Sequence, residues 1–374
     1  MYFFLKFAKR EKMKNKILLT SVVASILATT AFATNGSELI GYGAKSRGMG
    51  GLGIATFTGT DAILKNPAIL TYNTGNQLNI GNSVMFSMPE QTRANGTSYD
   101  YSTIGYTLPN IGYIHNLNDN LVVGIDLAAT GGGAIDYDTD AALGPLSGLS
   151  KKMGIIDIAP AIAYKYNNFS IGLSLIYTMV IIDIENDAAS SDYDISTDTG
   201  FLLGVSYQLD QLTLAFSYKS ERDYDTTDAT FGQKKGTMPS HRGFGIGYTT
   251  KGTHVGLEVQ NIGWDSSSNG EYSNQVTIAF GASQEVNEEL TLRAGLNYAD
   301  NSPVPDNIVD TTLSTQPFHV TTHITTGFSY NITKDIALDA AATYALPATR
   351  TSDTSGTSYE TSQMVLSLGA TIKF

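Results

Sequence analysis

The stretch Phe169-Ser170-Ile171-Gly172-Leu173-Ser174-Leu175-Ile176-Tyr177-Thr178-Met179 decides the fold. Its odd positions are apolar or aromatic. Its even positions are small or polar, except Ile176. Successive side chains of a strand point to opposite faces, so this pattern predicts a strand with one greasy face. The same period returns at Leu121, Val123, Ile125 and Leu127, and again at Leu290, Leu292, Ala294, Leu296 and Tyr298. It closes the chain at Met364, Leu366, Leu368, Ala370, Ile372 and Phe374.

Working outward from these runs, fourteen strands are expected, at 77–87, 106–117, 120–130, 152–166, 169–183, 200–209, 212–219, 242–250, 253–264, 274–284, 290–299, 318–331, 335–346 and 361–374. Most reach the roughly 9–11 residues that a tilted spanning strand needs. The connections alternate in length. Asn167-Asn168, Asp210-Gln211, Lys251-Gly252 and 331–335 are short. Gly131–Ser150, Glu185–Thr199, Ser220–Arg242, Asn301–Gln316 and Pro347–Ser362 are long, polar and acidic. That is the hairpin pattern of an outer-membrane barrel, with tight periplasmic turns and longer extracellular loops. Tyr106, Tyr113, Tyr164, Tyr177, Tyr207, Tyr218, Tyr248, Tyr298, Tyr330 and Tyr344 fall near strand ends and are expected in the aromatic girdles. The β-propensity of tyrosine accounts for part of that pattern.

Composition agrees. Charged residues are 16% of the 374, below the roughly 25% of a soluble domain. Cysteine is absent, which excludes disulfides and thiolate chemistry. A net charge of −12 argues against a nucleic-acid partner. The N-terminus reads as an export signal. Lys6, Lys9, Arg10, Lys12, Lys14 and Lys16 precede the apolar run Ile17–Ala28, and Ala31-Phe32-Ala33 supplies a cleavage site. An uncleaved anchor is the alternative, and Met13 is a second possible start. The division is therefore a signal at 1–33, a glycine-rich segment at 34–76 and a transmembrane barrel at 77–374, localised to a Gram-negative outer membrane. A barrel of about 14 strands encloses a lumen too wide for its own side chains to fill. The segment 34–76 is long enough to enter it as a plug. The inward phase of the expected fifth, sixth and thirteenth strands is small, neutral and partly apolar, as at Ser170, Gly204 and Ala341. Rings of charge, which line aqueous porins, are missing there. The lining suits an apolar or amphipathic passenger.

One block is more specific. Gly41-Tyr42-Gly43-Ala44-Lys45-Ser46-Arg47-Gly48-Met49-Gly50-Gly51, then Asp61-Ala62, then Asn66-Pro67-Ala68, resembles the N-terminal hatch of the FadL family of long-chain fatty acid outer-membrane transporters. Leu290–Tyr298 with Ser302-Pro303-Val304-Pro305-Asp306, and the strand ending in Phe374, resemble later parts of the same family. The resemblance implies an all-β fourteen-stranded barrel with a hatch in its lumen. It implies passive uptake of long-chain fatty acids or other hydrophobic compounds, and lateral exit through a kinked strand. It also implies a mature N-terminus, here Thr34-Asn35-Gly36, that reaches the ligand pocket. Connections as modest as 185–199 and 220–242 are shorter than the helical segments that build the family's outer capture groove.

The candidate gating residues are Asn66, Pro67, Ala68, Gly48, Gly50 and Gly51. Pro67 fixes φ and Asn66 can cap a turn, so the tripeptide is either a movable hatch tip or a turn that packs the plug. Arg293 faces the lumen. It is a candidate fork for a ligand carboxylate, or a salt-bridge partner of the hatch or of Asp339. Gly131-Gly132-Gly133 is the candidate kink for a lateral opening, or simply a loop start. Gly48-Met49-Gly50-Gly51-Leu52-Gly53 matches G-x-G-x-x-G but follows no strand, so nucleotide binding is not expected. The histidines at 115, 241, 254, 319 and 323 show no ligand spacing, and no metal or cofactor is expected. An enzyme is not expected; the alternative is a wall-mounted lipase built on His323 and a neighbouring Ser. The partners expected are a hydrophobic ligand, outer-membrane lipids and lipopolysaccharide around a monomer. The competing functions are a structural or adhesive barrel and a small-solute porin.

Overall fold

The computed structural model describes residues 34–100, 104–137, 147–186, 189–228, 232–266, 272–304 and 319–374. The expected signal at 1–33 lies outside the described residues, as do Pro305 and Asp306. Fourteen long strands build one antiparallel sheet. They are β1 Gln77–Thr92, β2 Ile104–Asn116, β3 Leu121–Asp136, β4 Ser150–Tyr166, β5 Phe169–Asn186, β6 Ala189–Leu209 and β7 Leu212–Lys219. The second half comprises β8 Ser240–Thr250, β9 Thr253–Gly263, β10 Gln275–Glu285, β11 Leu290–Ala299, β12 Thr322–Asn331, β13 Ile336–Thr351 and β14 Ser358–Lys373. Each strand pairs with its neighbours in sequence. The last pairs with the first, from Lys373 opposite Gln77 to Ser358 opposite Thr92, and closes the barrel. Closure removes the free terminal edges that lipid could not satisfy, and the one short ladder is β2–β3, which stops at Asn110 opposite Ala128.

The outward phase is the greasy one. Ile171, Leu203, Leu257, Ile278, Leu296 and Leu366 are all more than 40% exposed on the outer wall. Water would penalise such a belt, and hydrocarbon does not. The expected tyrosine positions are exposed on this wall or, for Tyr218, half-buried in it, with one exception. Tyr106 points inward and is buried, because β2 places it in the phase of Leu108. The short turns gather at one end. Asn167 and Asp210 adopt φ of 53° and 52°, the left-handed region that two-residue hairpins need and that Asn and Asp tolerate.

At the other end the strands outrun the sequence reading. The expected loop 185–199 is largely ladder, since β5 reaches Asn186 and β6 begins at Ala189. The stretch 347–362 is mostly β13 and β14, paired as far as Thr351 opposite Ser358. Within 220–242, Arg222–Asp228 pairs with Gly232–Met238 in a separate two-stranded ribbon. The third strand does not end at its glycines but runs on to Asp136. Alternation marks only the part of a strand that has lipid on one side. Above the membrane both faces are polar, so the periodicity vanishes while the backbone ladder continues. The twelfth strand errs the other way, starting at Thr322 rather than 318.

Residues 34–76 precede β1 and pack against the inward faces of the strands. They form a tight hairpin (Thr34–Asn35 with Glu38–Leu39), a single helical turn Ala44–Arg47, and two 3-10 turns at Thr60–Leu64 and Pro67–Tyr72. Leu52, Ile63, Leu64, Ile69 and Leu70 are essentially inaccessible. Each such burial contributes about 1.5–3 kcal/mol. An arginine on the outer wall tests the orientation of the sheet. Leu296→Arg should destabilise the barrel in lipid vesicles by about 2–4 kcal/mol, read by urea unfolding. Arginine at the neighbouring inward position, Gly295, should act by clash with the N-terminal segment instead.

Candidate functional site

Asn66-Pro67-Ala68 docks on the wall between β5, β6 and β7. The Asn66 side-chain oxygen accepts from Ala68 N–H at 3.0 Å and caps the turn that Pro67 opens. Its amide donates to Ile54 O at 2.8 Å and lies 3.4 Å from the carbonyls of Val205 and Phe216. Asn66 is completely buried. Glycine makes the approach possible. A Cβ on Gly204 would overlap the Asn66 oxygen, and one on Gly172 would overlap the Pro67–Ala68 peptide.

The loop of Gly48, Gly50 and Gly51 docks the same way across β10, β11 and β12. Gly50 and Gly51 have φ of 70° and 85°, and a Cβ on Gly51 would overlap Ile40 O. Gly295 of β11 lies against the peptide of Met49 and Gly50. Gly50 N–H donates to Thr325 Oγ1 at 2.9 Å, and Asn297 donates to Gly50 O at 3.1 Å. The inward glycines that read as a small, neutral lining are therefore the seats of the N-terminal segment.

Gly131, Gly132 and Gly133 lie at an irregularity in β3. The register with β4 shifts between Ala129 and Gly131, and Gly132 has φ of 143°. Glu38 of the N-terminal hairpin pairs with Gly131, and Gly132 N–H donates to Ser37 O at 3.1 Å. Arg293 lies apart from these features, near the start of β11 at the short-turn end. Its guanidinium donates to Ser329 Oγ at 2.7 Å, and the Ser329 hydroxyl donates to Asp339. Thr371 Oγ1 also donates to Asp339, at 2.6 Å, and Lys45 of the segment lies 3.7 Å from the same carboxylate. Arg293 thus reaches Asp339 through a hydroxyl. With Lys45, Lys373 and Glu285 it also lines a cavity of about 230 Å³ at this end.

Buried charges beyond those expected from the sequence also meet the segment. Glu258 of β9 accepts three backbone N–H groups of the segment. Ile54 N–H is at 2.7 Å, Gly53 at 3.0 Å and Ala55 at 3.1 Å from one of its oxygens. Glu38 sits among Lys219, Arg222 and His241, and Asp157 accepts from Thr178 Oγ1 at 2.6 Å beside Lys219. Burial pushes the Glu38 carboxyl up, but Lys219, His241 and Arg222 together outweigh it and hold it well below the usual range. A signal did exist. Asp157, Lys219 and Glu258 are isolated charges in the inward phase of apolar strands, where an unpaired charge would be costly.

A closed barrel with an apolar outer belt and no free edge defines a transmembrane β-barrel of the outer-membrane type. The profile of the family described as "Outer membrane protein transport protein (OMPP1/FadL/TodX)" matches residues 20–260 and 256–373, and the chain belongs to that family of Gram-negative outer-membrane proteins. The solved toluene transporter TodX of Pseudomonas putida is similar in fold, with a TM-score of 0.73 at 19% identity over 90% of this chain and 99% of that one. A FadL homologue of Pseudomonas aeruginosa gives a TM-score of 0.74 at 15% identity, over 91% and 100%. A protein encoded 5′ of the phosphoenolpyruvate carboxykinase gene in Chlorobium limicola is 50% identical over 62 residues, which are 16% of this chain and 30% of that protein.

The docking geometry makes a direct prediction. Gly204→Val should overpack the Asn66 seat by about 1–3 kcal/mol. That would raise the undocked population of the segment by about 5- to 150-fold. Protease nicking near Asn66 should rise in proportion, while the barrel keeps its heat-modifiable gel mobility. Glu258→Ala should loosen residues 53–55 in the same assay, because it strands three buried N–H donors.

Proposed function

We propose that the chain carries hydrophobic molecules passively across the outer membrane, with residues 34–76 as a hatch and without an enzymatic step. The observation that supports this best is the lining. Met85, Tyr106, Leu108 and Val365 of the barrel form one buried apolar cluster with Leu39 and Tyr42 of the segment. A water-filled channel would be lined by charge instead. An apolar molecule gains about 25 cal/mol per Å² on leaving water for such a surface. Transport is then downhill, drawn by consumption of the molecule inside the cell.

In this reading Asn66, Pro67 and Ala68, with Gly48, Gly50 and Gly51, hold the hatch against the wall until the passenger displaces it. The passenger leaves sideways at the irregularity of Gly131–Gly133, beyond the point where the β2–β3 ladder stops at Asn110 opposite Ala128. Arg293, at the cavity on the periplasmic end, is a contact for a carboxylate on its way out. The closed, edge-free wall supports a monomer surrounded by membrane lipid and lipopolysaccharide. Toluene transport is the activity named for the P. putida relative, and fatty acids are what the sequence resemblance implies. Both are apolar enough for this lumen.

Uptake of labelled oleate and labelled toluene by cells lacking their own transporters tests the reading. Saturable uptake of either should appear with the native chain and fall several-fold with Asn66→Ala at equal outer-membrane abundance. Uptake equal to the empty vector for both would sink it. Steady ion conductance in planar bilayers would point to a small-solute pore instead.

A further inference from the structure

Two buried carboxylates meet where the 3-10 turn Thr60–Leu64 lies on β2 and β3. Asp126 of β3 stands opposite Gly112 of β2. A Cβ on Gly112 would fall 1.9 Å from Asp126 Oδ1 and 2.2 Å from Thr60 Oγ1, so both oxygens use the space that the glycine leaves. Asp61 Oδ2 and Asn110 Nδ2 both come within 3.6 Å of one point beside Gly43, and Asn110 is the next inward residue of β2. Thr58 Oγ1 donates to Asp61 Oδ1 at 3.2 Å and orients the carboxylate. Thr60, Asp61 and Asp126 are at least nine-tenths buried. Yet both Asp126 oxygens, Asp61 Oδ2 and Thr60 Oγ1 make no hydrogen bond of good geometry among the described residues.

The cations of the segment are committed elsewhere. Lys45 donates to Thr371 Oγ1 at 2.7 Å and lies 3.7 Å from Asp339. Lys65 donates to Ile40 O at 2.9 Å, and Arg47 donates to Ser83 Oγ. None of the ion pairs among the described residues includes Asp61 or Asp126. A buried carboxylate without a partner is strongly unfavourable. A proton would neutralise one of the two and supply a single donor, leaving most of the oxygens unanswered. One divalent cation would neutralise both and engage all four oxygens. A cavity of about 20 Å³ adjoins Thr60 and Asp61, with Asn79 and Asn110 in its wall, and has room for about one water.

We propose that Asp61, Asp126 and Thr60 form a calcium site that staples the N-terminal segment to β2 and β3. The donors select the ion. All are oxygens, which suit hard cations rather than zinc or copper. Magnesium keeps several waters and demands near-octahedral geometry, and a site this buried has room for about one water. Calcium accepts irregular sets of oxygens. The pair Gly112–Asp126 lies two residues from Asn110 opposite Ala128, where the β2–β3 ladder stops. The ion therefore ties both strands and the turn together near the end of that ladder. No passenger contact is involved, so the site stands independently of the uptake reading.

Phosphatidylcholine nanodiscs holding the full chain, free of lipopolysaccharide and stripped with EGTA, test the site by equilibrium dialysis against radiolabelled Ca²⁺ and by hydrogen exchange. The barrel should take up one Ca²⁺, at least about tenfold more tightly than Mg²⁺. Exchange of the amides of 58–65 should slow at least about fivefold with Ca²⁺ and stay unchanged with Mg²⁺. Asp126→Asn should weaken Ca²⁺ binding at least about tenfold and abolish the slowing, whereas Asp223→Asn on the external ribbon should change neither. If Asp126→Asn fails to fold, the exchange pattern of the native chain decides. No Ca²⁺ bound at about 1 mM, the weak end of calcium sites, overturns the proposal. Binding that leaves the amides of 58–65 unmoved, or that survives Asp126→Asn, places the ion elsewhere and overturns it too. An ion-free Asp126→Asn barrel more stable than the native one, with no Ca²⁺ bound by either, would identify a shared proton instead. None of these outcomes touches the uptake reading, which the oleate and toluene assay decides.

Discussion

Hydrocarbon offers no partner for a peptide N–H or C=O, and the rest of this structure depends on that constraint. It forces β14 back onto β1, which sets a cylinder of fourteen strands. A cylinder of that size cannot be filled by its own side chains. The interior has to be supplied by another part of the chain, and residues 34–76 supply it. Their approach in turn requires the wall to give up side chains where backbone meets backbone. Gly204 under Asn66 and Gly295 under Gly50 are the result.

Charge appears where segment and wall meet. Glu258 gathers three N–H groups, Asp339 takes Lys45, and Glu38 enters a cluster of cations. Burying these groups is expensive, so they contribute little net stability. They do fix where the segment sits, because any other position leaves a charge unpaired. Apolar packing alone would allow the segment to slide.

Much of the barrel is legible in single residues. Leu296 between Gly295 and Asn297 already says which way each side chain faces, because the period of a strand is two and only one phase is apolar. Asn66-Pro67-Ala68 and the block Gly41–Gly51 carry the family resemblance without any coordinates. Where both faces meet water the signal fails, so the ladder at Asp192 opposite Ile184 has the composition of a loop. Tyr106 has a ring and a strand-end position that fit a girdle, whereas its phase sends it into the lumen.

The sequence by itself determined the fold class, the number of strands, the facing of their side chains and the family, since these follow from local periodicity and a contiguous motif. The interior contacts were decided only by the tertiary structure. Glu38 and Arg222 are far apart along the chain, as are Gly50 and Gly295, and Asn66 and Gly204. Closure of the barrel brings them together, and alternation carries no information about which inward residue a distant segment will touch.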